Sequence, residues 1–466
     1  MRKSWRVFAL VIILGALIGT YFYLSKKPQD NVSENTESTQ QSIELLKLDS
    51  ANINKIDVTN ESGKFSLEKN DNKWVISGKQ NLKVDENMIN TIVSSFTALN
   101  AEKLVQKETS DLENFGLKNP KAQATAYLND GSSKTIYIGN QTPEVSTYYI
   151  ILKDSKDVYT VSGTTAQALN YSINDLRSKD LASIDTADLK YLKIINFNGE
   201  IIEIKANEGQ NEQEKQYGLN AFLLTKPYSS SHGVDSDKFE ELKTAIGGLK
   251  ISSFINDTAK ELTKYGLDKP SLELLVKDSK SELHLYFGKD IDEQHVAFKV
   301  AGSPEVYSME KSNMEALNVK PFDIVDKLVY LPSIDTVDGI NIEQGSQKDV
   351  LSLSRTTKKA EKEGEKDETV TTYKVNDKEV QEDSFKKFYQ AIIGLKAEGI
   401  NDKKLQEKPD IRIVYTLNQG DKKNTVISFV NYNTDFYAVF VDGKTEFLTS
   451  KLQVETALKQ LEDLKK

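Results

Sequence analysis

NFGLKNP (Asn114–Pro120) and KYGLDKP (Lys264–Pro270) are two spellings of one heptad, aromatic-Gly-Leu-x-x-Pro, set 150 residues apart (264 − 114 = 150). Upstream of each stands the spelling of a capping box, Ser110 with Glu113 and Thr258 with Glu261. With Leu112, Phe115, Leu262 and Tyr265, the pattern predicts a short helical turn. Gly116 and Gly266 would end it in the left-handed conformation, which glycine adopts without a Cβ clash. Leu117 and Leu267 would fold back as the hydrophobic contact of a Schellman cap. Pro120 and Pro270 would then bar further helix and launch a strand. The pair therefore reads as punctuation in a duplicated fold, not as twin active-site loops.

Working outward, the same period recurs. SIDT stands at Ser183–Thr186 and at Ser333–Thr336, again 150 apart, and a related opening begins at Leu48. Three starts imply three units. Each opens with alternating strands, then a short strand led by an aromatic: Trp74, Phe222 and Tyr373. An amphipathic helix follows, with stripes Ile89-Ile92-Val93-Phe96-Leu99, Phe239-Leu242-Ile246-Leu249 and Phe385-Tyr389-Ile392-Leu395. Asp85 and Asp235 stand where N-caps belong. After the proline come two hairpins and a closing helix. Residues 206–216 and 356–369 break the symmetry as lengthened surface loops. Each unit is thus expected to be a mostly antiparallel sheet of roughly four to seven strands covered by its amphipathic helix, an α+β design.

The first residues carry an address. Arg2, Lys3 and Arg6 precede a largely apolar run of 18 residues, Val7–Leu24. At about 1.5 Å per residue that run spans roughly 27 Å, close to a hydrocarbon core of about 30 Å. The charge bias predicts a single-pass anchor with a cytoplasmic N-terminus and an extracytoplasmic bulk; a cleaved signal peptide is the alternative. The expected organisation is residues 1–6 cytoplasmic, 7–24 a transmembrane helix in contact with the cytoplasmic membrane, 25–45 a polar flexible linker, and 46–182, 183–330 and 331–466 the three units.

The motif set resembles the DUF4340 family, a bacterial domain of unknown function. The resemblance rests on Trp74–Ile76, Asp85, Phe115–Pro120, Ile138-Gly139, Tyr148-Tyr149 and Leu176–Lys179 in the first unit, and on Tyr265–Pro270 and Phe287-Gly288 in the second. The third unit keeps Pro409 but no Gly-Leu, and is degenerate. The resemblance implies an exported or anchored envelope protein, some relatives being encoded near ABC-type transporters, and transfers no catalytic residue. It points to contacts with ABC-type transporter subunits or other envelope proteins.

The chemistry-bearing residues are sparse. In 466 residues the net charge of −9 argues against a nucleic-acid partner, and the absence of cysteine excludes disulfides and thiolate chemistry. His232, His284 and His295 lack a second histidine three or four residues away, so no zincin-type site is spelled. Ser66-x-x-Lys69 and Ser308-x-x-Lys311 match a nucleophile–base spacing, but the first lies in a strand, where positions three apart face opposite sides. Asp235-Ser236-Asp237 starts a helix, not a calcium loop. No catalytic, cofactor or metal residue is assigned, and no cofactor is expected. The motif residues Trp74, Phe115, Gly116, Leu117, Pro120, Tyr265, Gly266, Leu267 and Pro270 are read as structural. The expected function is non-enzymatic protein–protein interaction. An extracellular module binding an envelope glycan through Tyr148-Tyr149 is the alternative.

Overall fold

The computed structural model describes residues 42–80, 82–144, 146–210, 220–358, 368–418 and 423–466. The chain forms two compact units that divide between Ser178 and Lys179.

The first unit contains β1 (Ile43–Leu46), β2 (Ile53–Asn60), β3 (Gly63–Asn70), β4 (Lys73–Ile76), helix α1 (Glu86–Thr97), β5 (Leu99–Ala101), β6 (Lys103–Gln106), β7 (Ala122–Leu128), β8 (Ser133–Gln141), β9 (Thr147–Leu152), β10 (Val158–Ser162) and α2 (Gly163–Ala168). Eight strands form one antiparallel sheet in the order β4-β3-β2-β7-β8-β9-β10-β6, and β1 pairs with β5 beside it. Alternating apolar residues on the strands put Ile56, Val58, Leu67, Ala124, Ile136 and Ile150 on one face. Helix α1 lays Ile89, Ile92, Val93 and Phe96 on that face. The helix starts where Asp85 accepts from the amides of Asn87 (2.9 Å) and Met88 (3.3 Å).

The second unit holds the other two repeats. Repeat two has β11 (Tyr191–Ile195), β12 (Ile201–Ala206), β13 (Phe222–Lys226), β14 (His232–Gly233), α3 (Ser236–Gly247), β15 (Ser253–Asn256), β16 (Leu272–Lys277), β17 (Glu282–Asp290), β18 (His295–Val300), β19 (Val306–Glu310), α4 (Lys311–Ala316) and α5 (Pro321–Ile324). Repeat three has β20 (Val337–Gln344), β21 (Gln347–Lys358), β22 (Glu368–Val375), β23 (Lys378–Val380), α6 (Glu382–Ile393), β24 (Gly399–Ile400), β25 (Ile411–Leu417), β26 (Asn424–Asn431), β27 (Phe436–Val441), β28 (Lys444–Ser450) and α7 (Lys451–Leu464). Their sheet orders are β14-β13-β12-β11-β16-β17-β18-β19-β15 and β23-β22-β21-β20-β25-β26-β27-β28-β24. In all three repeats the opening strand lies inside the sheet, against the strand that follows the proline. The register is shared: Ile56 faces Leu67 and Ala126, Leu192 faces Ile204 and Val276, and Ile340 faces Leu351 and Tyr415.

Each helix is closed from behind by the chain that precedes its repeat. Glu44 pairs with Asn100, Asp180 bridges Lys250 and Leu328 bridges Lys396, always just past the helix end. The start of the helix is met by the repeat's own last segment: Val84 bridges Arg177, and Val234 bridges Val325. In repeat three the 14-residue α7 packs Val454, Ala457, Leu458, Leu461 and Leu464 into the core.

Three expectations need correction. The expected fold class includes an N-terminal transmembrane helix, yet among the described residues no helix is long and apolar enough to cross a membrane. The 14 residues of α7 reach about 21 Å at 1.5 Å each, and they alternate charged with apolar positions. Residues 7–24, on which that expectation rests, and most of the 25–45 linker lie outside the described residues. The fold is mostly antiparallel sheet with covering helices. The sheets are also larger than expected, with eight and nine strands, because the added strands β6, β14, β15, β23 and β24 are only two to four residues long and carry no readable alternation. Finally, the ends of the 356–369 loop are strand: β21 continues to Lys358 and β22 begins at Glu368. Arg355 anchors this ribbon, its Nη1 on Asp338 (2.7 Å) and its Nη2 on the carbonyls of Ile334 and Val337 (2.7 and 2.8 Å).

Candidate functional site

Both heptads close as Schellman caps. Gly116 has φ +68° and Gly266 has φ +69°. The Gly116 amide donates to the Glu113 carbonyl (3.0 Å) and the Leu117 amide to the Leu112 carbonyl (2.9 Å). The same pair recurs as Gly266 to Thr263 (3.1 Å) and Leu267 to Leu262 (3.0 Å). The capping boxes do not form. Asp111 takes the Glu113 amide in the first copy, and in the second Glu261 is an N-cap without a side-chain bond, because the turn is a single 3-10 turn too short to need one. The turn covers the sheet face opposite the helix: Leu117 packs with Ile151 and Val158, one residue out of phase with Ile150. Tyr265 and Leu267 pack likewise with Ala297 and Val306. Replacing Gly116 with alanine is expected to lower the stability of the first unit by about 1 kcal/mol or more, since alanine is strained at positive φ and its Cβ would stand 2.5 Å from the Asn140 side chain. An unchanged melting temperature would refute the cap's contribution.

A second glycine completes the motif. A Cβ on Gly139 would stand 2.2 Å from the Phe115 carbonyl oxygen, and one on Gly288 would stand 2.1 Å from that of Tyr265. The Asn140 amide donates to the same Phe115 carbonyl (2.8 Å). Turn and strand glycine are thus one device, in which the strand must lack a side chain for the turn to lie on it. Repeat three has lost both parts together. Asp410 donates to Phe429 as Lys121 does to Ile138 and Ser271 to Phe287, which places Val430 where the others have Gly139 and Gly288. Val430 is buried beside Leu405, filling the space the turn vacates.

The remaining residues singled out from sequence have packing or hydrogen-bond partners within the fold. Trp74 packs half-buried against the core; Phe222 sits on Phe239 and Tyr373 on Phe385, each with centroids 4.7 Å apart. Tyr148 and Tyr149 are half-buried: Tyr148 packs on the main core and Tyr149 meets the Phe115 ring edge-on at 5.0 Å. Ser66 donates to Asp57 (2.6 Å) while Lys69 reaches the Ser50 carbonyl (3.1 Å); Ser308 bonds Ser253 (2.6 Å) while Lys311 pairs with Asp290 (2.6 Å). Neither is a nucleophile–base pair. Asp235 caps α3 through the Lys238 amide (3.0 Å). His284 bonds Glu273 (3.0 Å), which Lys193 also engages (3.1 Å), and His295 bonds Asp292 (2.9 Å). Among the described residues no group of three His, Cys, Asp or Glu could hold a metal ion.

A cleft of about 270 Å³ in repeat three is bordered by Ile342, Gln347, Asp349, Leu458, Leu461 and Glu462. Asp349 pairs across β20–β21 with Ile342, where the other repeats put Phe65 and Ile202. Burial alone would raise its carboxyl, but bonds from Asn376 (2.8 Å), Gln347 (2.9 Å) and Lys465 (3.1 Å) outweigh burial and hold it below the ordinary value. Its bond to Lys465 fixes the end of α7.

The most concentrated chemistry lies where repeats two and three meet. A bulge in β28 leaves Glu446 unpaired between Thr445, opposite Phe440, and Phe447, opposite Val439, and bulges re-aim side chains. Glu446 and Phe447 turn toward the Tyr228–His232 stretch of repeat two. One carboxylate oxygen bonds His232 Nε2, and the other accepts from the amides of Ser229 and Ser230, the latter at 3.3 Å. The rings of Tyr228, His232 and Phe447 meet edge-on with centroids 4.8 to 5.3 Å apart. The Glu446 side chain is 13 % exposed. Burial would push its carboxyl up, but the bonds from His232 and Ser229 prevail and lower it. Burial raises the Tyr228 phenol, with Glu446, Glu200 and Asp323 adding to the shift. Tyr228 Oη and Ser230 Oγ are buried without a hydrogen-bond partner among the described residues. This is not a hydrolase triad, for the carboxylate occupies His232 Nε2 and no serine bonds the imidazole. Sequence reasoning missed the site because its halves are 214 residues apart and share no motif.

Comparison with curated proteins and with solved structures returns no match. A family model, Domain of unknown function (DUF4340), matches residues 74–261 and again 223–412. Both matches open on the aromatic-led strand of a repeat, β4 and then β13, 149 residues apart (223 − 74 = 149), and each runs past the helix of the following repeat. The unit the family recognises is therefore offset from the sheet. It keeps each linking segment together with the helix end that the segment closes. Matched twice over most of its length, the chain belongs to the DUF4340 family and carries the domain in tandem.

Proposed function

We propose that this chain is a non-enzymatic envelope protein that works by protein–protein contact, with subunits of an ABC-type export complex as the first partners to test. The observation that supports this reading is the repeated open edge: β6, β15 and β24, each following its repeat's helix, end their sheets at the same position in the topology. Two of these edges carry exposed apolar residues, Leu104 (39 %) and Val105 (37 %) on β6 and Ile400 (51 %) on β24. Terminal strands with unprotected backbone and apolar side chains are templates for strand addition by another chain. The basic-then-apolar start of the sequence and the absence of cysteine are compatible with an extracytoplasmic bulk; protease accessibility in spheroplasts tests that location.

The test of function is co-purification from detergent-solubilised membranes. Transporter or other envelope subunits should be recovered, and Leu104→Lys with Val105→Lys should reduce recovery at least fivefold while the far-UV spectrum is retained, because edge lysines block strand pairing. Recovery of no envelope protein, together with tight retention on cell-wall material, would sink the proposal in favour of a glycan-binding module.

A further inference from the structure

We propose that Glu446 of β28 and His232 of β14 form a latch that holds repeat three on repeat two while the carboxylate is charged and releases it in acid. Every donor to the Glu446 side chain named above comes from the neighbouring repeat: His232 Nε2 and the amides of Ser229 and Ser230. A single proton therefore weakens the whole set, since it removes the charge that strengthens all of these bonds and turns one of the two oxygens from acceptor to donor. The other repeats show the position to be specialised. The residue before the aromatic of the corresponding strand is Val158 in repeat one and Val306 in repeat two, both buried among apolar neighbours. A carboxylate at this place has a use only where a partner from the preceding repeat meets it.

The junction is also poised to open. Tyr228 Oη and Ser230 Oγ have no partner among the described residues when it is closed, and gain water when it parts. The aromatic contribution is a small cluster of rings, Tyr228, His232, Phe447 and, 5.9 Å from Phe447, Phe322. The charged groups around it are few. Glu200 and Asp323 act on the Tyr228 phenol, and Lys327 lies over the Phe322 ring at 4.8 Å. None of these three is bonded to Glu446. Because the folded carboxyl lies below its ordinary value of 4.5, its stabilisation is fully present above that pH and is lost as pH falls through the lower folded value.

The chain has no cysteine, so spin labels at Lys260→Cys and Lys444→Cys, both exposed, report the distance between the repeats. One short distance is expected at pH 7, with a longer population growing reversibly as pH is lowered from 4.5 to about 3 while far-UV dichroism is retained. Glu446→Gln should raise the ratio of long to short distances at least tenfold at pH 7 and remove its pH dependence. His232→Gln should move the opening to higher pH. A distance that stays single throughout this range, a far-UV signal lost at or before the distance change, or a folded Glu446→Gln variant with the parent's distance would overturn the proposal.

Discussion

Gly288→Ala is expected to destabilise repeat two by about 3 kcal/mol or more, a larger loss than removing the positive-φ glycine of the turn beside it. The difference is one of remedy. Alanine at Gly266 strains a backbone angle, and its Cβ would stand 3.1 Å from the Lys289 amide nitrogen, which must yield a few tenths of an ångström. Alanine at Gly288 would stand 2.1 Å from the Tyr265 carbonyl oxygen, a backbone atom held by the cap's own hydrogen bonds. Relief requires the turn to lift off the sheet, exposing Tyr265 and Leu267, which now pack on Ala297 and Val306. Overpacking a filled site typically costs about 1–3 kcal/mol, and losing the turn's buried apolar surface adds to that. The check is the urea midpoint of the transition that hydrogen exchange assigns to β17. A Gly288→Ala midpoint at or above that of Gly266→Ala would show that the strand glycine is not the seat of the turn.

Phe388→Ala should lower the stability of repeat three by about 4 kcal/mol, within the range of roughly 3–5 kcal/mol for deleting a buried phenyl group. Phe388 is fully buried, and its core includes Tyr415 and Phe429 of the sheet and Leu458 and Leu461 of α7. It is served from two sides, so neither neighbour can collapse into the gap without leaving the other. Denaturant unfolding followed by near-ultraviolet dichroism measures the loss; a change under 2 kcal/mol would mean that α7 follows α6 inward.

Phe388 also marks where sequence reading stops. The stripe Phe385-Tyr389-Ile392-Leu395 was legible as one face of a helix, and all four are buried as that face. A helix covered by a sheet alone would present Phe388 at the margin. It is central because α7 lies against α6, a tertiary fact with no periodic trace. The heptads were legible because a Schellman cap is local: glycine, apolar fold-back and proline fall within seven residues. The strand glycines stood in the motif, but their purpose depends on a carbonyl more than twenty residues away, as Phe115 to Gly139 illustrates. Glu446 was illegible for the same reason at greater range. Nothing in TEF at residues 445–447 says that a bulge will turn the acid toward a histidine in another repeat.

The manner in which each helix is closed bears on how the chain is made. Glu44, Asp180 and Leu328 have all left the ribosome before the helix end that each will meet. Every helix therefore emerges to find its closing segment already waiting. No earlier repeat has to stay open until a later one is translated, which limits the time that apolar stripes such as Phe239-Leu242-Ile246 spend uncovered. Glu446 runs against this order. Its histidine emerges 214 residues sooner, so the Tyr228–His232 stretch stays bare through the synthesis of almost all of repeat three, and the junction is the last part of the pair to close.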